Sequence, residues 1–266
     1  MTRKNCVLGA IAGDIIGSSY EFNNVKSLDF ELFTNDPYFT DDSVLTIATM
    51  YALLHKTDYT QAYQQFGRKY PHRGYGGNFK SWIYSDNPKP YNSWGNGSAM
   101  RVSPIGWYCD SISDVLAEAK KSAEVTHNHP EGIKGAQAAA AAVYLARTGK
   151  TKAEIKQFIT EQFNYDLSRK ISKIRKTYDF DVSCQGSVPE AIIAFLESTD
   201  YENAIRLAVS IGGDSDTIAA VTGGIAEAYY KEIPEEIADF VQVILGPDLM
   251  KDVVMPFSYK YKENNK

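Results

Sequence analysis

Cysteine is scarce in this 266-residue chain, and the three that occur (Cys6, Cys109, Cys184) are an odd count, far apart, with no C-x-x-C pair. That pattern excludes a disulfide framework and a zinc cluster as organising devices, and it fits a reducing compartment. Positive charge is also in deficit: the formal net charge is −5 and the pI about 5.5, so there is no general cationic field to hold a phosphate backbone and nucleic acid is not an expected partner. The one basic stretch, SRKISKIRK (residues 168–176), has no aromatic platform or glycine-rich turn beside it and reads as a solvated helix face. A long apolar run is missing as well. The start, MTRKNCVLGAIAGDIIGSS, imitates a secretion signal, but Asp14 splits its apolar run and no longer one follows. It reads as the first helix of the fold, with cytoplasm as the expected location and no membrane as partner. There is no convincing alternating strand, no Pro- or Ser-rich linker and no repeat of solenoid period. One domain over residues 1–258 and a frayed tail over 259–266 are the expectation.

What is present is helix. Hydrophobic residues at 44% and charged residues at 23% are ordinary for a folded globular chain. Apolar residues recur at three and four spacing in VLTIATMYALL, DVLAEAKKSAEV, EGIKGAQAAAAAVYLA, AEIKQFITEQF, PEAIIAFL, NAIRLAVSI and TIAAVTGGIAEAYY. Thr151 with Glu154, and Ser187 with Glu190 followed closely by helix, have capping-box spacing, the second with Pro189 near a first helical position. The expected fold class is all-α. In GAIAGDIIG, Gly9, Gly13 and Gly17 bare one helix face, and Gly223 and Gly224 do the same later. Each costs about 1 kcal/mol of helix propensity against alanine, so close approach of a neighbouring backbone or ligand is the expected return. HRGYGGN (residues 72–78) and NSWGNGSAMR (residues 92–101) are the non-helical stretches; their glycines and asparagines suit turns, or a nest of N–H groups for an anion.

Two helix starts carry doubled acids: FTDDS (residues 39–43) and GGDSDT (residues 212–217). One carboxylate at each start is explained by capping. The second repels the first, and adjacent carboxylates are tolerated best around a cation. Two richly capped helices are one reading. An all-oxygen cage for hard divalent ions is the other, built from Asp41, Asp42, Asp214 and Asp216 with hydroxyls of Thr40 and Thr217. Asp14 interrupts an apolar helix, where a single acid reads either as a buried structural hydrogen-bonder or as a third piece of the constellation, and Glu21 follows two turns along, on the same face if the helix continues, placed to act as general acid or base.

Together these segments resemble the ADP-ribosylglycohydrolase family. The matching pieces are GAIAGDIIGSSYEF, FTDDS, RGYGG, WGNGSAMRVSPIG, THNHPEGIKGAQAAAAA and GGDSDTIAAVTGGIAEAYY, in the family's order across roughly residues 7 to 230. The resemblance implies a compact orthogonal helical bundle with a binuclear Mg²⁺ or Mn²⁺ centre at one end, held by Thr40, Asp41, Asp42, Asp214, Asp216 and Thr217. It implies Glu21 and Asp42 as catalytic residues and Asp14 in an outer shell near the substrate. The SWGNG loop, Ser93, Trp94, Gly95, Asn96 and Gly97, would wrap a diphosphate, with Trp94 toward the distal part of the ligand. Gly76, Gly77 and Gly213 would border the cleft, and His127 would bond near the diphosphate or ribose. The implied activity is hydrolysis of the N- or O-glycosidic bond between ADP-ribose and a protein side chain or small molecule. The chain has short connections where the acceptor pocket would form, so the acceptor stays open, as does the oligomeric state. A two-metal phosphohydrolase cutting the pyrophosphate and a non-catalytic ADP-ribose binder are the rival classes.

Overall fold

The structure is a computed structural model describing residues 7–263; Cys6 and residues 264–266 of the expected tail lie outside the described residues. The order is α1 (Gly9–Ser18), α2 (Asp41–His55), α3 (Tyr59–Lys69), α4 (Gly77–Ile83), a 3₁₀ turn (Asn96–Ser98), α5 (Ser103–Tyr108), α6 (Ile112–Glu124) and α7 (Pro130–Arg147). It continues through α8 (Lys152–Phe163), α9 (Ile171–Thr177), α10 (Cys184–Glu197), α11 (Tyr201–Val209), α12 (Ser215–Tyr230), α13 (Glu235–Leu249) and α14 (Met255–Ser258). No strand occurs among the described residues; one isolated antiparallel bridge joins Gly95 to Ser183. The fold is all-α.

Its centre is the pair α1 and α12. Every residue of α1 is buried, as is α12 from Ser215 to Ala228. A methyl group at Gly9, Gly13 or Gly17 would overlap the backbone carbonyl of Gly223, Ala219 or Ser215 respectively. The descending partner numbers mean that the two helices run antiparallel in direct backbone contact. The glycine face therefore sets where the start of α12 lies: beside the end of α1. Gly13→Val should cost about 3 kcal/mol or more, because the Ala219 carbonyl has no rotamer with which to yield. Urea unfolding measures it; a loss below about 1 kcal/mol would show that the helices can part without penalty.

The capping box at Thr151 and Glu154 is present in both directions and opens α8. The one expected at Ser187 is not: α10 starts a turn earlier, capped by Ser183, whose side chain accepts from the Gly186 N–H, and the Ser187 hydroxyl donates back to the Ser183 carbonyl at 2.8 Å. Pro189, expected near a first helical position, instead falls inside the helix as its sixth residue, where it has no N–H to donate to the Gln185 carbonyl. The tail expectation also needs correction. Tyr259–Glu263 is a helical turn, and the buried Lys262 ammonium meets Glu227 Oε1 at 2.6 Å. Glu227 in turn accepts from the Gly9 N–H at 2.7 Å, so the end of the chain braces the start of α1.

Candidate active site

Three chain segments meet where α1 ends. Thr40 caps α2, its hydroxyl accepting from the Asp42 N–H. Asp14, fully buried on α1, accepts from the Thr40 N–H at 2.9 Å, the Thr40 hydroxyl at 2.7 Å and the Ser43 N–H at 3.1 Å, and also from the Ser43 hydroxyl. It therefore fastens the start of α2 to α1. The start of α12 arrives through Gly212 and Gly213, both at positive φ (74° and 71°), a conformation that turns the chain sharply out of α11 and that side chains rarely adopt. Asn24 locks this turn to the Glu21 segment: its Oδ1 accepts from the Gly213 N–H at 2.6 Å, while its Nδ2 donates to the Glu21 carbonyl at 2.7 Å. Asn96 Nδ2 donates to Asp214 Oδ2 at 2.6 Å, joining the glycine loop to the same cluster.

Carboxylate oxygens of Asp14, Asp42 and Asp216 come within 4.8 Å of one another, and so do those of Glu21, Asp214 and Asp216. Asp216 is common to both groups. Thr217 Oγ1 lies 3.4 Å from Asp42 Oδ2. Asp42 Oδ1 and Asp216 Oδ1 are buried and meet no protein donor among the described residues. Burial raises the pKa of Asp42 and Asp41 well above the usual carboxylate range, and for both the next cause is Asp216. Asp216 is raised well above it by burial and then by Asp214, and Asp214 itself goes to about 6, chiefly by burial. Glu21, half-buried, is pushed up to about 8 by burial, then Asp216 and Asp14. Two orphaned, buried carboxylate oxygens in an all-oxygen set are what a hard divalent cation satisfies, so the residues fit an ion of that class. Two details differ from the sequence expectation. Asp41 contributes to neither group, its Oδ1 lying beside Gly74. Asp14, expected in an outer shell, has an oxygen in the first group, although both its oxygens already accept protein hydrogen bonds.

A thermal prediction follows from these shifts. A carboxylate whose folded pKa exceeds its unfolded value contributes stability when protonated and loses it as pH rises through the folded pKa. Between the ordinary values of 3.8 for aspartate and 4.5 for glutamate and the folded values of about 6 for Asp214 and about 8 for Glu21, the cation-free chain should lose Tm as pH rises. Excess Mg²⁺ or Mn²⁺ should restore it, more at about pH 8 than at about pH 5, since ligands must be deprotonated to bind. Scanning calorimetry with chelator or cation checks this; an increment that is no larger at the higher pH contradicts it.

The cluster forms the floor of a cleft of about 520 Å³. Thr40, Asp41, Asp42, Asp214, Asp216 and Thr217 all line it, with Glu21 at one side. Gly76 and Gly77 border it, and Ser93, Gly95, Asn96, Gly97 and His127 form another wall. The Asn96 N–H is committed to the Val182 carbonyl at 2.7 Å, so the loop is held against the chain before α10. Three expected residues do not line the cleft. Trp94 is 54% exposed and packs edge-on to His129 at 5.8 Å, Gly213 serves the turn described above, and Asp14 lies beneath. Sequence reasoning missed Phe22 and Phe180, whose rings stack at 6.5 Å at the mouth, the exposed Tyr38, and Tyr91 and Arg101 deeper in. Arg101 closes the quoted loop motif and Phe22 closes GAIAGDIIGSSYEF, which were their available signals; Phe180, about 160 residues from its stacking partner, had none.

Residues 3–258 match the family described as ADP-ribosylglycohydrolase. ADP-ribosylhydrolase ARH3 of Mus musculus is 29% identical over 314 residues, the match covering 87% of this chain and 85% of that protein. The same-named protein of Homo sapiens is 29% identical, with 87% and 86% covered. ADP-ribosylarginine hydrolase Tri1 of Pseudomonas putida (strain GB-1) is 25% identical, with 85% and 70% covered. A solved structure titled ADP-ribosylglycohydrolase-related protein complex has a TM-score of 0.66 at 23% identity, covering 90% of this chain and 95% of that one, a likeness of fold.

Proposed function

This chain belongs to the ADP-ribosylglycohydrolase family, and on that premise we propose that it hydrolyses the N- or O-glycosidic bond joining ADP-ribose to an acceptor, with two divalent cations, Mg²⁺ or Mn²⁺, as cofactors. The observation that carries the reading is the meeting of Asp42 and Asp216, each with an orphaned buried oxygen, beside Glu21 in one cleft. The volume, about 520 Å³, is in the range of cavities that enclose a nucleotide-sized ligand.

Asp42, Asp214 and Asp216, with the hydroxyls of Thr40 and Thr217, would hold the cations, and Asp41 would complete the set from the cleft wall. When bound, the cations supply Lewis-acid polarisation and a fixed positive field for ribose hydroxyls and water. The rest belongs to this chain's own groups. The Ser93–Gly97 loop and His127 bind the diphosphate, with Gly76 and Gly77 bordering it, so the ribose is oriented over the carboxylates. Glu21 exchanges the proton at its carboxyl with the leaving atom or the attacking water. Burial is the largest cause of its raised pKa, ahead of Asp216 and Asp14, and a carboxyl raised in this way can hold a proton near neutrality. Asp14 orders Thr40 and Ser43 from below.

ADP-ribosylhydrolase and ADP-ribosylarginine hydrolase are the names of two relatives, and the acceptor here is drawn from the same range: a serine or arginine side chain, an acetyl ester, a poly(ADP-ribose) chain or a small molecule. The test is incubation with each conjugate in Mg²⁺, Mn²⁺ or chelator, followed by mass identification of products. Intact ADP-ribose released only with cation is expected. AMP as product would mean a pyrophosphate cutter, and tight binding of ADP-ribose without turnover of any conjugate would mean a binding protein.

A further inference from the structure

Arg101 is 0% exposed, and no carboxylate pairs with it among the described residues. Its guanidinium carbon sits 4.3 Å over the Tyr63 ring, while Nε and Nη1 have no hydrogen-bond acceptor. Nη2 is committed: it donates to the Ser122 carbonyl at 2.7 Å and to Thr126 Oγ1 at 3.0 Å. A buried guanidinium with only one nitrogen satisfied is costly to keep, so its position asks for a role.

The neighbouring atoms supply one. Thr126, also 0% exposed, lies 2.7 Å through its Oγ1 from His127 Nδ1. Because Oγ1 accepts from Arg101, its own single proton is free, and among the described residues the only acceptor within reach is Nδ1. The opposite arrangement, with Nδ1 carrying a proton toward Oγ1, would leave the hydroxyl proton buried and unpaired at about 1–3 kcal/mol. An imidazolium is disfavoured too: burial, then the Arg101 charge, hold the His127 pKa well below its usual value. The remaining proton is on Nε2. That nitrogen faces the glycine loop, where a methyl at Gly97 would come within 3.2 Å and one at Gly95 within 3.6 Å, and His127 lines the cleft.

We propose that Arg101 and Thr126 are positioning residues that hold His127 as a neutral imidazole with its proton on Nε2, so that it offers one N–H donor to a phosphate oxygen of the ligand lying in the Gly95–Gly97 loop. The phosphate depends on the glycohydrolase reading; the tautomer does not. The relay explains why a buried cation stands under an acidic cleft. Arg101 takes one lone pair of Thr126, the hydroxyl then must donate, and a ring that can be flipped or protonated becomes a single donor.

Long-range ¹H–¹⁵N correlation spectra of the ligand-free full chain, with His127 assigned against H127N, should show a neutral ring protonated on Nε2 between about pH 5 and 8. Thr126→Val should lose that tautomer preference and weaken ADP-ribose binding by about tenfold or more in calorimetry, while Thr126→Ser keeps both. Thermal melts of the two variants show whether each is folded; should the valine chain not fold, Arg101→Lys, which keeps the charge but not the aimed donor, is read in the same way. An Nδ1-protonated ring or an imidazolium in the wild-type chain overturns the proposal, as does a folded valine variant that retains both tautomer and affinity. Correct tautomers without turnover of any ADP-ribosyl conjugate would instead count against the glycohydrolase reading alone.

Discussion

Asp216→Asn should abolish cation-dependent turnover, lowering kcat/KM by about 10³-fold or more, and should remove the cation-induced rise in Tm. Asp216 alone belongs to both groups of converging carboxylates, so its loss removes an oxygen anion from each and places an amide donor where acceptors are needed. Losing several kcal/mol of Lewis-acid stabilisation corresponds to that factor at about 1.4 kcal/mol per tenfold. The substitution nearly conserves volume at a site 5% exposed, so the fold should survive. A further sign distinguishes a functional acid from a structural one. After burial, Asp216 is the next cause of the raised pKa of Asp42, Asp41 and Glu21, so in chelator at about pH 8 the asparagine variant should melt higher than the parent. A variant that turns over near the parental rate, or that still gains Tm with Mn²⁺, would remove Asp216 from the cation site.

Glu21→Gln separates proton transfer from cation binding. Turnover should fall by about 10²–10⁴-fold, the usual contribution of a positioned acid or base, while the cation-induced Tm increment persists through Asp42, Asp214 and Asp216. Glu21 sits after α1 has ended, at the cleft wall, and is held through its own carbonyl by Asn24 rather than through its carboxyl. Glutamine therefore keeps the local backbone and removes the titrating group. Loss of the Tm increment together with activity would recast Glu21 as a cation ligand, and a rate within tenfold of the parent would remove it from the chemistry.

How Glu21 arrives there shows why part of the site was legible and part was not. Seven residues after Asp14, it was expected on the same helix face if α1 continued; the helix stops at Ser18, and a loop pinned by Asn24 delivers the side chain instead. The doubled acids at the starts of α2 and α12 were visible as charge that capping did not require, and the structure does bring those starts together. Trp94, by contrast, was placed by its motif neighbours, yet the bridge between Gly95 and Ser183 holds the loop so that its backbone lines the cleft and the indole does not. Ser187 shows the same limit locally, since spacing alone could not tell a cap from the second turn of a helix that Ser183 had already begun.

Local chemistry was enough for the all-α class, for most of the helical segments and for naming the carboxylates as candidates, because helical period, caps and unexplained like charges act over a few residues. Tertiary structure alone decided which oxygens share a centre, which aromatics frame the mouth and which tautomer His127 is given. Those depend on α1 and α12 touching along their glycines, and on Asp14 and Asn24 tying distant segments together. Such long-range contacts leave no periodic trace in the chain.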